Sequence, residues 1–142
     1  SFITIYLAPH NYHRVHTPCA AELRKAAYVP GELFSVNQST AENLPNLFAR
    51  NERLVCRFDT DDGAMAQVLV GAMLVAGIKP VWLDSIYEPR LTVTKNMQQS
   101  YKQGEELAQF QMGSTVILLF KTPLTFAFEQ GDPIKVGQAL TG

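Results

Sequence analysis

The sequence places a glycine and two hydroxyl side chains, Gly113-Ser114-Thr115, directly before the apolar run Val116 to Phe120. A serine hydroxyl acts as a nucleophile when a base takes its proton, and the nearest electrophile here is the peptide carbonyl of Gly113. Glycine reaches backbone conformations that are closed to other residues, and strain at a peptide bond promotes attack on it. An ordinary turn before a strand explains the same residues, so the motif alone leaves both interpretations open.

Candidate bases lie in one histidine-rich segment. His10, His13 and His16 are the three histidines of the protein, and the ordinary pKa of histidine, near neutrality, suits a side chain that takes up and returns protons. On an extended strand His10 and His16 share one face and His13 lies on the other. The three therefore converge on one metal ion only if the segment turns. A purely structural role for one or two of them is an equal alternative.

The composition is that of a globular protein of about one domain. The 142 residues are 46% hydrophobic and 18% charged, with a net charge of -1, and a chain of this size buries roughly two thirds of its unfolded surface. No basic excess points to a nucleic-acid partner. Cys19 and Cys56 lack the spacing of a metal or redox site, and we expect two small buried side chains.

Short apolar segments between glycine and proline turns must position the candidate residues. Strands are predicted at 2–8, 54–58, 65–75, 107–112, 116–120 and 124–128, because these stretches alternate or are continuously apolar. Asp61-Asp62-Gly63 predicts a hairpin turn between the second and third of these strands. The tail 131–140 predicts a turn, a short strand and a glycine turn.

Two further segments complete the prediction of fold class. Ser39 to Glu42 predicts the cap of a short helix that Pro45 weakens, and the polar stretch 84–104, broken by Pro89, predicts mostly loop. We therefore expect one mainly β domain over 1–142. Its antiparallel sheets would form a curled sandwich, similar to a barrel-sandwich hybrid, with one or two short helices.

Five segments, in order and over nearly the whole chain except 84–103, carry a resemblance to a known family. They are YLAPHNYHRVHTP (6–18), GELFSVN (31–37), LPNLFARNERLVCRF (44–58), QVLVGAMLVAGI (67–78) and GEELAQFQMGSTVILLF (104–120). Together they resemble the phosphatidylserine decarboxylases of bacterial and mitochondrial type. The order and extent of these segments make the resemblance far more specific than any single motif.

The resemblance implies a proenzyme that cuts itself before the motif serine. The usual Leu-Gly-Ser-Thr of the family is Met112-Gly113-Ser114-Thr115 here, a mild departure. By resemblance, the Ser114 hydroxyl attacks the Gly113 carbonyl and the serine is converted into a pyruvoyl group. The mature protein would consist of a β chain, 1–113, and an α chain, 114–142, that begins with the pyruvoyl group.

Residue roles follow from the same resemblance. The second histidine of His-x-x-His, His16, would be the base for self-cleavage, and the first, His13, the proton donor in decarboxylation. Thr115 or nearby backbone N–H groups would stabilise the oxyanion. The pyruvoyl ketone would form a Schiff base with the amine of phosphatidylserine and act as an electron sink while CO2 leaves, giving phosphatidylethanolamine without a metal or pyridoxal phosphate.

The resemblance also implies partners and a location. We expect the protein to bind peripherally to an anionic phospholipid membrane surface, through a segment absent here. In bacteria this surface would be the cytoplasmic face of the inner membrane. The two chains of one precursor would stay together, a homodimer is allowed, and no nucleic acid is involved. Three arginines are candidates for the substrate phosphate or carboxylate, with surface ion pairs as the alternative: Arg14, Arg50 and Arg53.

The aspartate that orients the cleavage histidine in the family lies upstream of the YHRVH motif, before Ser1. Five aspartates are present instead, each in or beside a predicted turn, where a surface role is favoured: Asp59, Asp61, Asp62, Asp84 and Asp132. Loss of the orienting carboxylate costs ~10^4 in rate in serine proteases. We therefore expect these 142 residues alone to mature poorly.

The alternative, from a different functional class, is a non-catalytic β module. The tail GDPIKVGQAL (131–140) resembles the closing hairpin of lipoyl and phosphotransferase-type sandwiches. Lys135 lies in the wrong local context for lipoylation. A histidine-based site formed by His13 and His16 is the remaining possibility in this class.

Overall fold

The computed structural model describes residues 1–72 and 77–142. Two short helices and nine strands are assigned there. The helices are α1 (Gln38–Asn43) and α2 (Leu47–Arg50), and the strands are β1 (Phe2–Leu7), β2 (Arg14–His16), β3 (Ala21–Val29), β4 (Arg53–Thr60), β5 (Gly63–Gly71), β6 (Ile78–Pro80), β7 (Val93–Tyr101), β8 (Glu106–Phe110) and β9 (Ser114–Phe120). The prediction of a mainly β fold with one or two short helices is confirmed.

Six strands form a large antiparallel sheet in the order β1-β9-β5-β4-β3-β7. Strand β9 is an inner strand, because it pairs with β1 on one side and with β5 on the other. Its residues are mostly apolar and buried, as expected for a strand covered on both faces. Backbone hydrogen bonds to both neighbours therefore hold β9, the strand that begins with Ser114.

A smaller antiparallel sheet, β2-β8-β6, packs over the large one. One core cluster joins them: it includes Val15 of β2 and Leu107 of β8 from the small sheet, and Leu54, Phe58 and Leu69 from the large sheet. The antiparallel sandwich of the prediction is thus present, and its sheets do not close into a barrel. The inner face of the large sheet is the face turned towards the β2 strand.

A second apolar cluster covers the outer face of the large sheet. Val36, Leu47, Val70 and Ala72 form its buried centre. The two helices are short because Pro45 lies between them and cannot continue a helix. The cap of α1 is Asn37, whose Oδ1 accepts from the Thr40 N–H at 2.9 Å, and not the predicted Ser39 to Glu42 segment.

The hairpin prediction is confirmed, since β4 and β5 pair around the turn that contains Gly63, where φ is +113°. Part of the third predicted strand, 73–75, lies outside the described residues. The strand predicted at 107–112 corresponds to β8, which ends two residues before the predicted end, at Phe110.

Three local predictions differ from the structure. The stretch 84–104 contains the nine-residue strand β7, which pairs with β3 at the edge of the large sheet. Its side chains are mostly exposed, so its sequence needs no apolar periodicity. Conversely, 124–128 forms no strand and contributes only an isolated bridge, Phe126 to Thr141, and no strand is assigned in the tail 131–140.

Within the described ranges, no helix has both the length and the apolar character needed to cross a bilayer. Both cysteines are free thiols. Cys56 is fully buried, as expected, whereas Cys19 is only partly buried.

Candidate active site around Ser114

Ser114 is the first residue of β9 and is fully buried, at 0% exposure. Its register partners are Leu7 on β1 and Gly71 on β5. Among residues 1–72 and 77–142 the Ser114 hydroxyl has no hydrogen-bond partner, which is unusual for a buried polar atom. An unpartnered hydroxyl beside a peptide carbonyl in a dry environment is suited to nucleophilic attack once a base takes its proton.

Gly113 is also buried, but it does not take a positive φ. A Cβ built on it would lie 3.5 Å from Pro9 Cγ and 3.6 Å from the Leu7 carbonyl oxygen, which are ordinary contacts. The expectation that Gly113 has a backbone conformation closed to other residues is therefore wrong. Any activation of the Gly113–Ser114 bond must come from surrounding groups rather than from left-handed backbone strain.

His13 lies in the connector from β1 to β2, which runs beside the connector from β8 to β9. Its carbonyl accepts from the Phe110 N–H at 2.9 Å. Its Nε2 lies 2.9 Å from the Pro9 carbonyl oxygen and therefore donates, so in the neutral ring Nδ1 is the acceptor. That Nδ1 is buried and has no hydrogen-bond partner among the described residues. Pro9 also lies next to Gly113, so His13 and the scissile bond share Pro9 as a neighbour.

His16 is the last residue of β2 and lies opposite Glu106, further from the start of β9. Its Nδ1 donates to the Gly104 carbonyl at 2.9 Å, so its Nε2 accepts from the Tyr12 hydroxyl at 2.7 Å. The Tyr12 and His16 rings stack with centroids 5.6 Å apart. Both ring nitrogens are therefore occupied, and the Tyr12 hydroxyl must leave before Nε2 can take a proton from another group.

His10 is exposed in the turn after β1, away from the two other rings. In the ranges 1–72 and 77–142, no group of three or more histidine, cysteine or acidic side chains is arranged to hold a metal ion. A phosphorylatable histidine, which the β-module alternative needs, would require a nitrogen that is accessible. His16 has none free, and the free nitrogen of His13 is buried.

Thr115 is buried, and its hydroxyl has no hydrogen-bond partner within the described ranges. Successive side chains of a strand point to opposite faces, so Thr115 faces the outer side of the large sheet and Ser114 faces the inner side. Its register partners there are Tyr6 and Val70. The Thr115 hydroxyl therefore lies on the face away from the Ser114 hydroxyl.

Each of the three candidate arginines contacts another group of the chain. Arg14 forms a 2.8 Å ion pair with Glu106, and this carboxylate raises the pKa of the guanidinium. The Arg50 guanidinium lies 4.8 Å from the centroid of the Phe34 ring, and Arg53 donates to the Asn51 carbonyl at 3.2 Å.

The predicted surface role of the aspartates is confirmed by their exposure. One of them, Asp59, forms a 2.8 Å ion pair with Arg24. In the part of the chain that the structure describes, no aspartate carboxylate hydrogen-bonds to a histidine of the site.

Sequence reasoning missed two buried polar residues next to the site. Gln67 donates to the His16 carbonyl at 3.1 Å and so connects the large sheet to β2. Glu52 is 2% exposed and accepts from the Tyr28 hydroxyl at 2.6 Å. Burial, and then Glu52, raises the pKa of Tyr28. In the sequence, Gln67 stands out as a polar side chain within an apolar strand, whereas Glu52 lies between Asn51 and Arg53 and gives no such signal.

Comparison with known proteins identifies a family to which this chain is similar. A family model described as phosphatidylserine decarboxylase matches residues 1–142. Among curated relatives, the phosphatidylserine decarboxylase proenzyme of Aliivibrio salmonicida is 51% identical over 96% of this chain and 51% of its own length. The proenzyme of the same name from Vibrio parahaemolyticus is 53% identical over 96% of this chain and 52% of its own length. That of Histophilus somni is 49% identical over 98% of this chain and 50% of its own length.

The chain spans about half the length of the curated relatives it matches. The matched part nevertheless includes the buried Ser114 and both histidines of the YHRVH segment, because the match extends over every residue of the chain. A match of this extent to the family model, together with relatives at about half identity, shows that the chain belongs to the phosphatidylserine decarboxylase family.

Proposed function

We propose that this chain catalyses the pyruvoyl-dependent decarboxylation of phosphatidylserine to phosphatidylethanolamine and CO2, after self-cleavage between Gly113 and Ser114. The observation that carries the proposal is the fully buried Ser114 hydroxyl, which has no hydrogen-bond partner in the part of the chain that the structure describes and adjoins the peptide bond to be cut. Family membership supports it, and the relatives bear the name proenzyme, which describes proteins made as precursors.

In the first step the Ser114 Oγ forms a bond to the Gly113 carbonyl carbon. Its proton passes to a histidine and then to the Ser114 nitrogen, while the carbon–nitrogen bond breaks and leaves an ester. Elimination of the Gly113 carboxylate from that ester gives dehydroalanine at 114, and addition of water with loss of ammonia gives the pyruvoyl group. Burial favours this chemistry because electrostatic effects are strong where water is excluded.

The large sheet keeps the cleaved ends together. Strand β9 belongs to the α chain, whereas its neighbours β1 and β5 belong to the β chain. Register pairs on both sides of β9 remain after the cut, because only the bond before its first residue is broken. The new end of the α chain therefore stays where Ser114 was.

The site fits a pyruvoyl group because the group is built from atoms of Ser114 that are already accommodated there. Once formed, it supplies a carbonyl that withdraws electrons from the substrate amine while CO2 leaves. His13 donates the proton that replaces CO2 on the substrate carbon, once its buried Nδ1 has itself taken up a proton. His16 serves as the base in self-cleavage. Arg14, Arg50 and Arg53 are the candidates for the substrate phosphate or carboxylate.

Denaturing mass spectrometry of the full-length protein tests the proposal. We expect two fragments that separate at Gly113–Ser114, the second with a blocked amino end that reacts with carbonyl reagents. The Ser114→Ala variant should remain intact and inactive. Intact natural protein, or equal CO2 release by the Ser114→Ala variant, would overturn the proposal.

The substrate and the surface are tested with the same cleaved protein. We propose peripheral binding to anionic phospholipid at the cytoplasmic face of the bacterial inner membrane. CO2 release from vesicles that contain phosphatidylserine should exceed release from free serine. Decarboxylation of free serine at the same rate would exclude the lipid as the substrate.

A further inference from the structure

The phase of the hydrogen-bond ladder beside Ser114 determines where the scissile carbonyl points. Antiparallel neighbours alternate between pairs that exchange two backbone hydrogen bonds and pairs that exchange none. The Lys121 N–H donates to the Ala64 carbonyl at 3.0 Å. Bonded and non-bonded pairs alternate from this bond along the β5–β9 register. Gly71 and Ser114 are therefore a pair that exchanges no backbone hydrogen bonds. The Ser114 N–H therefore points away from β5.

The pairing of β9 with β1 leads to the same direction for the Ser114 N–H. The Phe120 N–H donates to the Ser1 carbonyl at 2.8 Å, and the β1–β9 register then makes Leu7 and Ser114 a hydrogen-bonded pair. No cis peptide bond occurs in the described chain. In a trans peptide, the Gly113 carbonyl points opposite to the Ser114 N–H. The scissile carbonyl is thus directed towards the β5 side.

Continued by one residue, the β5–β9 register places Ala72 opposite Gly113, so the Ala72 N–H is the backbone donor expected to face this carbonyl. The N–H of Gly71 is directed towards β4, since it donates to the Glu52 carbonyl at 3.0 Å. Successive N–H groups of an extended chain alternate in direction, so the N–H of Ala72 is directed towards β9 at the level of Gly113. Ala72 is 1% exposed, which shields this N–H from water.

Glu52 binds the chain on both sides of Ala72. Its main-chain oxygen accepts from Gly71, and its Oε1 accepts from the Gly77 N–H at 2.9 Å. Its Oε2 is fixed by the Tyr28 hydroxyl at 2.6 Å. A Cβ on Gly71 would come within 3.0 Å of the Glu52 side chain, so only glycine allows this close approach.

We propose that the backbone N–H of Ala72 stabilises the oxyanion formed on the Gly113 carbonyl oxygen when Ser114 attacks, and that Glu52 is the positioning residue for that N–H. This rests on the proposed self-cleavage. A donor already aimed at the carbonyl in a site without water needs no reorganisation as the charge forms. The Thr115 hydroxyl is not required for this role, because it lies on the opposite face of the sheet.

Replacement of one amide by an ester tests the donor directly. Lactic acid in place of Ala72, introduced into the full-length protein, removes the N–H and keeps the side chain. We expect self-cleavage to slow by about 100-fold, as for loss of one oxyanion donor. Its pH dependence should not change, because the base is untouched. The matched control is the same exchange at Val70, whose N–H bonds within the same ladder to Thr115, and this variant should cleave at close to the natural rate.

Glu52→Gln tests the positioning role. We expect slower cleavage, by up to about 100-fold, because small displacements of a catalytic group have effects of that order. Combined with the ester at Ala72, Glu52→Gln should add little further loss, since the group that it positions is already gone. A purely structural role of Glu52 would instead make the two losses multiply.

The outcomes separate this inference from the proposed function. If the natural protein does not cleave at Gly113–Ser114, the proposed function and the inference both fail. If it cleaves, and the esters at Ala72 and Val70 cleave at equal rates, the inference alone is overturned. If the two losses of cleavage rate multiply in the combined variant, Glu52 is not the positioning residue, while Ala72 remains the donor.

Discussion

The two histidines of the site differ in which ring nitrogens can take a proton. His13 has a buried Nδ1 without a partner, and its Nε2 is fixed by the Pro9 carbonyl. His16 has both nitrogens engaged, with Tyr12 and Gly104. The proposed role of His16 as the base for cleavage therefore requires that the exposed Tyr12 side chain moves first.

Single alanine variants assign the two roles. We expect His16→Ala to slow self-cleavage by at least about 100-fold, because general-base catalysis contributes that much or more. His13→Ala should still cleave but should lose CO2 release from phosphatidylserine. Gel analysis of the full-length protein and release of labelled CO2 measure the two steps separately.

His10→Ala is the matched control, since this histidine is exposed and outside the site. The reverse pattern would assign the base role to His13, in agreement with its free nitrogen beside Gly113. Normal cleavage and CO2 release in both His13→Ala and His16→Ala would show that neither histidine acts in the reaction.

At the scale of the elements, two adjacent connectors build the site. Strands β1 and β9 pair in the large sheet, and β2 and β8 pair in the small one. The chain segments that join them, from β1 to β2 and from β8 to β9, therefore run side by side. One carries His13 and the other carries Gly113, so the pairing of the strands places the proposed proton donor in the connector next to the one that holds the scissile bond.

Two glycines next to these elements should respond differently to a methyl group. A Cβ on Gly31 would come within 3.0 Å of backbone atoms of Arg50, Asn51 and Glu52, none of which is a flexible side chain. We expect Gly31→Ala to reduce the free energy of unfolding by about 1–3 kcal/mol. Gly113→Ala, with ordinary contacts only, should change it by less than about 0.5 kcal/mol.

Urea unfolding of both variants measures the difference. The Ser114→Ala background keeps the chain uncleaved, so that the comparison concerns packing alone. A large destabilisation by Gly113→Ala would mean that glycine is needed there for the backbone, contrary to the φ of the structure.

At the scale of the whole molecule, a buried thiol and a buried phenol limit the stability of the fold at high pH. Burial raises the pKa of Cys56 to about 12, and burial followed by the charges of Cys56 and Glu105 raises that of Tyr101 to about 12. A raised pKa in the folded state means that the unfolded chain loses its proton first. The stability that these groups contribute is complete below their ordinary pKa values and is lost as the pH rises.

We expect the free energy of unfolding to fall above about pH 9, the ordinary pKa of the thiol. The contribution of Cys56 is up to about 1.4 kcal/mol per pH unit. Cys56→Ala should make the decline between about pH 9 and pH 10 shallower, whatever its effect at neutral pH. Urea unfolding under reducing conditions at several pH values measures this slope, and an unchanged slope would exclude Cys56 as its source.

The sequence by itself determined the features that depend on neighbouring residues. Alternation and apolar runs predicted β1, the β4–β5 hairpin and β9, because a strand's side-chain period is visible locally. The Gly113-Ser114 motif and the ordered family segments located the candidate reaction. The same local reasoning failed for β7, an exposed edge strand whose polar residues carry no apolar period.

Only the tertiary structure decided which groups surround the Gly113–Ser114 bond. His13 and Gly113 meet through Pro9, Glu52 is buried next to Gly71, and the ladder phase directs the Gly113 carbonyl towards Ala72. These relations join residues tens of positions apart, and they arise from strand pairing and register. Register is set by the packing of the whole sheet, which local sequence patterns do not encode.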